Sequence, residues 1–423
     1  MIAALGGEMI DCVVVGGGPA GLATSVELAG RGVEHVVLDA GRAGQTWRTQ
    51  RWESFRLNTP GWTTRLLGAQ PRDAYLSGGD VVERLAELAV TVPIREGVRV
   101  SGLTPTSTGF MLRTSDGEVW ARTVVVATGD ENVARLPELA DALPGRVTQL
   151  HSADYRTPAA LPEGIVLVVG SGQSGVQISE DLLVGGRRVL IATSPVGRVP
   201  VRHRGHDTVE LLHASGFFEH TPADLTDPAM MRAHQPILAP GGRAVSLQSL
   251  ARAGGTLTGR LVAVDDRQVR FDDSAPVNVA AGDAFATRIR TMLDELIART
   301  GRPALPAEPG DVDQPVELDP PTTLQLSEIG AVLWCTGFTG DFSWLDPALL
   351  EATGRPRHTG CAGALPGLWY VGLRWLTHRG SATLGGIPKD AATVADALSA
   401  HLHAACTPTI IGSVIENREP RHA

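Results

Sequence analysis

The stretch from Asp11 to Asp39 restricts the fold more than any other part of the chain. It runs Asp-Cys-Val-Val-Val, then Gly-Gly-Gly-Pro-Ala-Gly from Gly16 to Gly21, a helical segment to about Gly30, and Val-Val-Leu-Asp ending on Asp39. Strand, glycine turn, helix and second strand in that order open a βαβ unit. In such a turn Gly16 makes the tight reversal, Gly18 lets the backbone approach a pyrophosphate, and Gly21 lets helix and strand pack closely. Pro19 and Ala20 begin the helix, whose N-terminus offers free N–H groups and partial positive charge to that anion. Asp39, followed by Ala40, stands where a carboxylate can accept both hydroxyls of an adenosine ribose. A dinucleotide without a 2′-phosphate is expected here.

The pattern recurs. Ile165–Val169 reads as a strand, Gly170-Ser-Gly-Gln-Ser-Gly175 as a second glycine turn, Val176–Leu183 as a helix and Val189–Ala192 as the next strand. Gly170, Gly172, Gln173, Ser174 and Gly175 are therefore a second set of candidate binding residues. This unit ends on Thr193-Ser194 with no acid, and Arg198, Arg202 and Arg204 follow. Hydroxyls and guanidinium groups suit a 2′-phosphate, which a carboxylate would repel, so Ser194, Arg198 and Arg202 favour NADPH over NADH. The alternative is a solvated basic face.

Between the two units, Trp47 and the run Arg48 to Arg56 lead to Leu57-Asn58-Thr59-Pro60. This loop is rich in Arg and Trp, in a chain with only 4% aromatic residues. It reads either as an active-site wall or as a surface covering. Val124–Gly129 is a buried strand ending on Ala-Thr-Gly, and Ile329–Phe338 echoes it with Cys335-Thr-Gly. Strands are also expected near Val98–Val100, Gly109–Thr114, Glu118–Thr123 and Leu365–Gly372. A hairpin is expected over Thr256–Val264 and Gln268–Asp273. Helices are expected over Gly79–Val90, Ala280–Arg299 and Lys389–Ala405, with a helix N-terminus near Thr383–Ile387. Gly205–Gln325 otherwise carries little signal.

Composition narrows the function classes. At 423 residues the chain has room for two or three domains, and a net charge of −9 argues against a general nucleic-acid binder. The longest apolar runs are strand-sized, which argues against a membrane span. Residues 1 to 8 read as a leader without secretory features, with Met9 an alternative start, so a cytoplasmic location is expected. Cys12, Cys335, Cys361 and Cys406 include no close pair, which counts against an enzyme that passes electrons to its own disulfide. No metal-ligand set is expected.

The motifs Gly16–Gly21, Gly44-Gln-Thr-Trp47, Ala127-Thr-Gly129, Gly170–Gly175 and Cys335-Thr-Gly-Phe338 together resemble the class B flavin-containing monooxygenases. The resemblance is to the bacterial branch loosely labelled as flavoproteins of potassium or cation transport, and more distantly to the plant YUCCA enzymes. His151–Arg156, Arg202–Gly205 and Gly372–Trp375 with His378-Arg379 also resemble that branch. The resemblance implies an α/β fold of two Rossmann-like dinucleotide-binding domains, the NADPH domain inserted in the FAD domain. The expected boundaries are 1–157 and 326–411 for FAD, 158–325 for NADPH, and a tail at 412–423. Trp47 is implied to line the flavin, and Asn58 to help hold the oxygenated flavin and the nicotinamide. Ala40, Gln45, Thr46, Val100, Thr128, Gly129, Thr336 and Gly337 complete the cofactor-binding set.

The fingerprint F-x-G-x-x-x-H followed by x-x-x and an aromatic is incomplete. Leu143 replaces Phe and Gly145 lies six residues before His151, while His151 and Tyr155 keep the second half. His151 is thus either a linker residue or a catalytic one. The implied activity is reduction of FAD by NADPH, formation of a C4a-hydroperoxide with O₂, and N-, S- or C-oxygenation of a small-molecule substrate. A flavin reductase and a non-enzymatic, transport-associated redox sensor are the alternatives, and a homodimer stays open.

Overall fold

β1 (Met9–Val15) is the middle one of five parallel strands in the first sheet. The computed structural model describes residues 9–231, 235–306 and 314–406, so the expected leader and the 412–423 tail lie outside the described residues. β2 (His35–Asp39) and β3 (Ile94–Glu96) lie on one side of β1, and β6 (Gly117–Val126) and the strand Leu368–Tyr370 on the other, all parallel. Cys12, Val13, Val14 and Val124–Val126 are fully buried. Such unbroken apolar runs are what a parallel sheet covered on both faces needs. α1 (Pro19–Gly30) packs beside the C-terminal helix Ile387–Cys406, where Arg31 also meets Asp396 at 2.7 Å. β4 (Val100–Thr106) and β5 (Gly109–Thr114) fold back on β6 as an antiparallel meander. The segments expected at Glu118–Thr123 and Val124–Gly129 are therefore one strand, shared between meander and parallel ladder.

The short α2 (Gln45–Thr49) follows β2. α3 (Gly78–Ala89) starts on a reciprocal cap, in which Ser77 Oγ accepts from the Asp80 N–H and Asp80 accepts from the Ser77 N–H.

The second sheet repeats the design. Its order is Thr256–Thr258, Arg188–Ala192, Ile165–Val169, Ile329–Trp334, Thr148–His151, all parallel. Ile165–Val169 corresponds to β1, Arg188–Ala192 to β2 and Ile329–Trp334 to β6. Thr148–His151 and Ile329–Trp334 are ladder strands of this second sheet, and Ile329–Trp334 gives Ile165–Val169 a parallel partner on its other edge. The Cys335-Thr-Gly echo of Ala127-Thr-Gly is the sequence trace of that partner.

α4 (Gln173–Val184) follows the second glycine turn. The expected strand Thr256–Val264 breaks at Gly259, where a Cβ would collide with Asp272. Its second half, Leu261–Val264, pairs with Gln268–Phe271, and Asp265 accepts the Gln268 N–H at the turn. α5 (Thr208–Ala214) lies in the segment that gave little signal, and the helix expected over 280–299 spans Ala275–Thr300. No helix among the described residues is long and apolar enough to cross a membrane.

Candidate functional site

The two glycine turns are built alike. Gly16 and Gly170 have φ of +110° and +105°, the region that glycine alone enters freely. A Cβ on Gly16 would lie 2.6 Å from the Ala127 carbonyl oxygen, and one on Gly170 2.5 Å from that of Cys335. Each Thr-Gly strand end therefore presses against its own glycine turn. A Cβ on Gly21 or Gly175 would collide with the carbonyl oxygen of Gly16 or Gly170. Gly18 and Gly172, the N-caps of α1 and α4, differ, because nothing lies within 4 Å of where their Cβ atoms would be. The open side of each turn is thus a backbone cradle at a helix N-terminus, and it fits a pyrophosphate. Thr128 Oγ1, at the first strand end, is buried with no hydrogen-bond partner.

Around the first cradle, Asp39 accepts the N–H of Gly17 at 2.6 Å and of Gly41 at 2.7 Å. It therefore braces the turn, and a carboxylate keeps lone pairs for a ribose as well. Ala40 is exposed beside it, and the Asp39 carbonyl accepts the N–H of Val98 at 2.8 Å. Val98 lies just before β4, which begins at Val100. Gly44, with φ of +67°, caps α2, which carries Gln45, Thr46 and Trp47. Gln45 accepts the Arg42 N–H at 3.1 Å. The Trp47 ring lies 4.5 Å beneath the Arg51 guanidinium.

Beyond Gly129, Asp130 accepts from Arg355 at 3.1 Å and from the Arg374 N–H at 3.3 Å. Surrounding protein and Asp130 push the Glu131 carboxyl above its usual range, against the pull of Arg374 and Arg51. Burial lowers Arg51 from its ordinary value, with Glu131 opposing. Sequence reasoning missed this charged set at the sheet's carboxyl edge, and its only local signal was acid pairing directly after Thr-Gly.

The Arg- and Trp-rich loop is no surface covering. Trp52, Phe55 and Leu57 are 6%, 9% and 7% exposed, in a core shared with Tyr155 and α4. The Trp52 and Phe55 rings meet edge-on at 5.1 Å, and Tyr155 donates to Asp181 of α4 at 2.6 Å. That packing places Asn58 against the second unit, where its Oδ1 accepts from Gln177 Nε2 at 2.6 Å. Gln177 is buried on α4, one turn beyond the second glycine cradle. It was not singled out in the sequence. A polar residue on the core-facing side of a helix, between Val176 and Ile178, was the available signal.

Around the second cradle, Gln173 clamps Leu238, accepting its N–H at 2.9 Å and donating to its carbonyl at 3.2 Å. Ser174 is half-buried in the first turn of α4. Ser194 donates its N–H to Ser171 Oγ at 2.9 Å. The expected arginine cluster is divided. Arg198 is buried and paired with Asp283 at 2.5 Å, and Arg204 is paired with Asp294 at 2.5 Å. Only Arg202 is exposed, donating to the Gly205 carbonyl at 2.5 Å. Thr336 donates to the Arg135 carbonyl at 2.5 Å. The Gly337 carbonyl accepts from His151 Nε2 at 3.0 Å, while His151 Nδ1 accepts the Ala153 N–H at 3.2 Å. His151 is buried, which lowers its pKa, and it ties the strand entering the second sheet to the one leaving it.

The thiols are inert by their surroundings. Burial pushes Cys12, Cys335 and Cys361 up to about 12, and all three are free.

A family model described as pyridine nucleotide-disulphide oxidoreductase matches residues 13–198, which take in both glycine turns. An uncharacterized oxidoreductase CzcO-like of Geobacillus kaustophilus is 26% identical over 392 residues, covering 91% of this chain and 97% of its own. Indole-3-pyruvate monooxygenase YUCCA1 of Oryza sativa subsp. japonica is 29% identical over 241 residues, covering 55% of this chain and 59% of its own. The solved structure of a flavin-containing monooxygenase from Stenotrophomonas maltophilia superposes with a TM-score of 0.65 at 21% identity, covering 94% of this chain and 100% of that one. At that identity the superposition speaks for the fold, two dinucleotide-binding units in one chain. The chain is thus similar along most of its length to a bacterial oxidoreductase, over about half of it to a plant monooxygenase, and in fold to a flavin-containing monooxygenase.

Proposed function

We propose that this chain is an FAD- and NADPH-dependent monooxygenase that transfers one oxygen atom from O₂ to a small molecule. The observation that carries the reading is the Asn58–Gln177 bond, which sets a side-chain amide of the first unit against the helix of the second cradle. The first cradle, with Asp39, would hold FAD, and the second, with Ser194 and Arg202, would hold NADPH. FAD and NADPH held there would supply the two-electron reducing chemistry that activates oxygen. The chain's own residues bind and orient the two dinucleotides, and the buried Trp52–Phe55–Tyr155 packing keeps water from the seam between the units. Asn58 offers a fixed amide to a developing negative charge there. Single, buried cysteines weigh against a reductase that works through a disulfide. A cytoplasmic setting accords with these free thiols.

The test is to supply NADPH and O₂ with a panel of amines, sulfides and ketones, and to measure hydrogen peroxide and oxygenated product. At least one substrate is expected to divert most of the NADPH consumed into product. Stoichiometric peroxide with every compound would return the chain to the reductase reading. The division of the arginines adds a second expectation. Arg202→Ala should raise KM for NADPH about tenfold, the worth of one charge-assisted bond, and leave KM for NADH unchanged. Equal changes in both would remove Arg202 from the 2′-phosphate site.

A further inference from the structure

The loop after the strand Leu368–Tyr370 leaves the carboxyl edge of the first sheet beside β6, the edge that also carries the first glycine cradle. Trp375 on this loop is buried at φ of +57°, a conformation that costs a bulky residue free energy and that surrounding structure must impose. A buried polar knot supplies the constraint. Ser381 Oγ accepts the N–H of Thr377 and of His378, each at 3.1 Å. Thr377 bonds both His378 Nδ1 and Asp390 of the C-terminal helix. Next in sequence to His378 of this knot is Arg379, which is half-buried. Its guanidinium carbon lies 4.1 Å from the centre of the Phe217 ring and 4.8 Å from that of Trp375.

Among the described residues, the Arg379 side chain forms no ion pair, and its Nε is buried with no hydrogen-bond partner. Burial lowers its pKa. Glu219, beside the Phe217–Phe218 pair in sequence, is paired with Lys389. Stacking on two rings offsets part of the desolvation of a cation but does not satisfy its N–H groups.

The face against Arg379 comes from the stretch that carried little sequence signal. The N–H groups of Arg379 and Gly380 donate to the carbonyls of His220 and Phe218, at 2.8 and 3.0 Å, and dock that stretch on the loop. Phe217 meets Phe218 at 5.4 Å, Phe218 meets His213 at 4.5 Å, and His213 meets Trp62 of the first unit at 4.9 Å. In a chain poor in aromatics, this is a continuous aromatic wall leading to a charge without a partner.

We propose that Arg379 anchors the carboxylate of a substrate whose body is a flat, apolar ring system lying against this wall. A planar guanidinium fixed between two rings presents its N–H fork to a carboxylate in one orientation, and lysine would not replace it. The inference rests on the monooxygenase reading only in calling the ligand a substrate. A phosphate of the pyridine nucleotide shares the same chemistry, and the test separates the two.

Titration calorimetry on the oxidised, flavin-loaded protein would compare benzoate, phenylacetate and 3-phenylpropionate with their primary amides. At least one acid is expected to bind ten times more tightly than its amide, and Arg379→Gln should abolish that difference. Acids that fail to bind, or that bind no better than their amides, would overturn the anchor whether or not the variant folds. A variant that keeps the acid preference but raises KM for NADPH tenfold would give Arg379 to the nucleotide and overturn it too. Because neither readout involves oxygen, these failures leave the monooxygenase reading standing. Peroxide as the sole product would sink that reading without touching the anchor.

Discussion

Gly18→Ala is expected to give a folded, colourless protein, and Gly172→Ala a folded, yellow protein that NADPH no longer reduces. Neither change meets the protein itself, since each new methyl group would have nothing within 4 Å. Both N-caps have ordinary φ, −79° and −72°, so alanine fits the backbone. The methyl would stand in the space through which a pyrophosphate reaches the helix N–H groups. Losing two charge-assisted bonds there would cost about 3 kcal/mol or more, a hundredfold in affinity. Thermal melts should stay near wild type, flavin content should separate the first variant, and anaerobic reduction the second. Gly21→Ala is the contrast, because its methyl would strike the Gly16 carbonyl and should reduce stability directly. A Gly18→Ala protein that keeps its full flavin content would remove the first cradle from the FAD site. Exchanged phenotypes would mean that the two cofactors had been assigned to the wrong units.

The two cradles were legible because everything that makes them is local. Glycine spacing, the apolar strand before and the helix after are fixed within thirty residues, and β1, α1, β2 and their counterparts fall where the pattern put them. What was not legible depends on partners far away in sequence. Thr148–His151 is short and mixed in polarity, and it becomes a strand only because Ile329–Trp334 lies beside it. Arg198 read as a free cation because Asp283, which neutralises it, lies on a helix 85 residues later. The segment containing Phe217 and Phe218 has short turns in place of a long amphipathic helix, so no periodicity announced it. Its order comes from contacts such as the Lys389–Glu219 pair and the Trp62–His213 ring contact. Asn58 was placed by family resemblance, and the polar contact that fixes it, Gln177, is visible only in three dimensions.

That contact leads to the prediction with the largest effect on chemistry. Gln177 Nε2 occupies the acceptor of the Asn58 amide, so Asn58 Nδ2 is left as a donor directed elsewhere. A donor is what a developing oxyanion requires, and one held before the reaction begins costs no reorganisation. Asn58→Ala should therefore leave the anaerobic reduction rate within about twofold of wild type, yet lower the yield of oxygenated product about a hundredfold, the lower end of what one such donor is worth. The missing product should appear as hydrogen peroxide. Gln177→Leu should act in the same direction but less strongly, because Asn58 is still present and only its orientation is lost. Freeing one amide rotor corresponds to about 1 kcal/mol, or roughly fivefold in coupling. The double variant should be no worse than Asn58→Ala alone, since Gln177 acts through Asn58. Additive losses in the double variant would show that Gln177 has a separate role. A fall in reduction rate matching the fall in product would place Asn58 with the nucleotide and not with the oxygen.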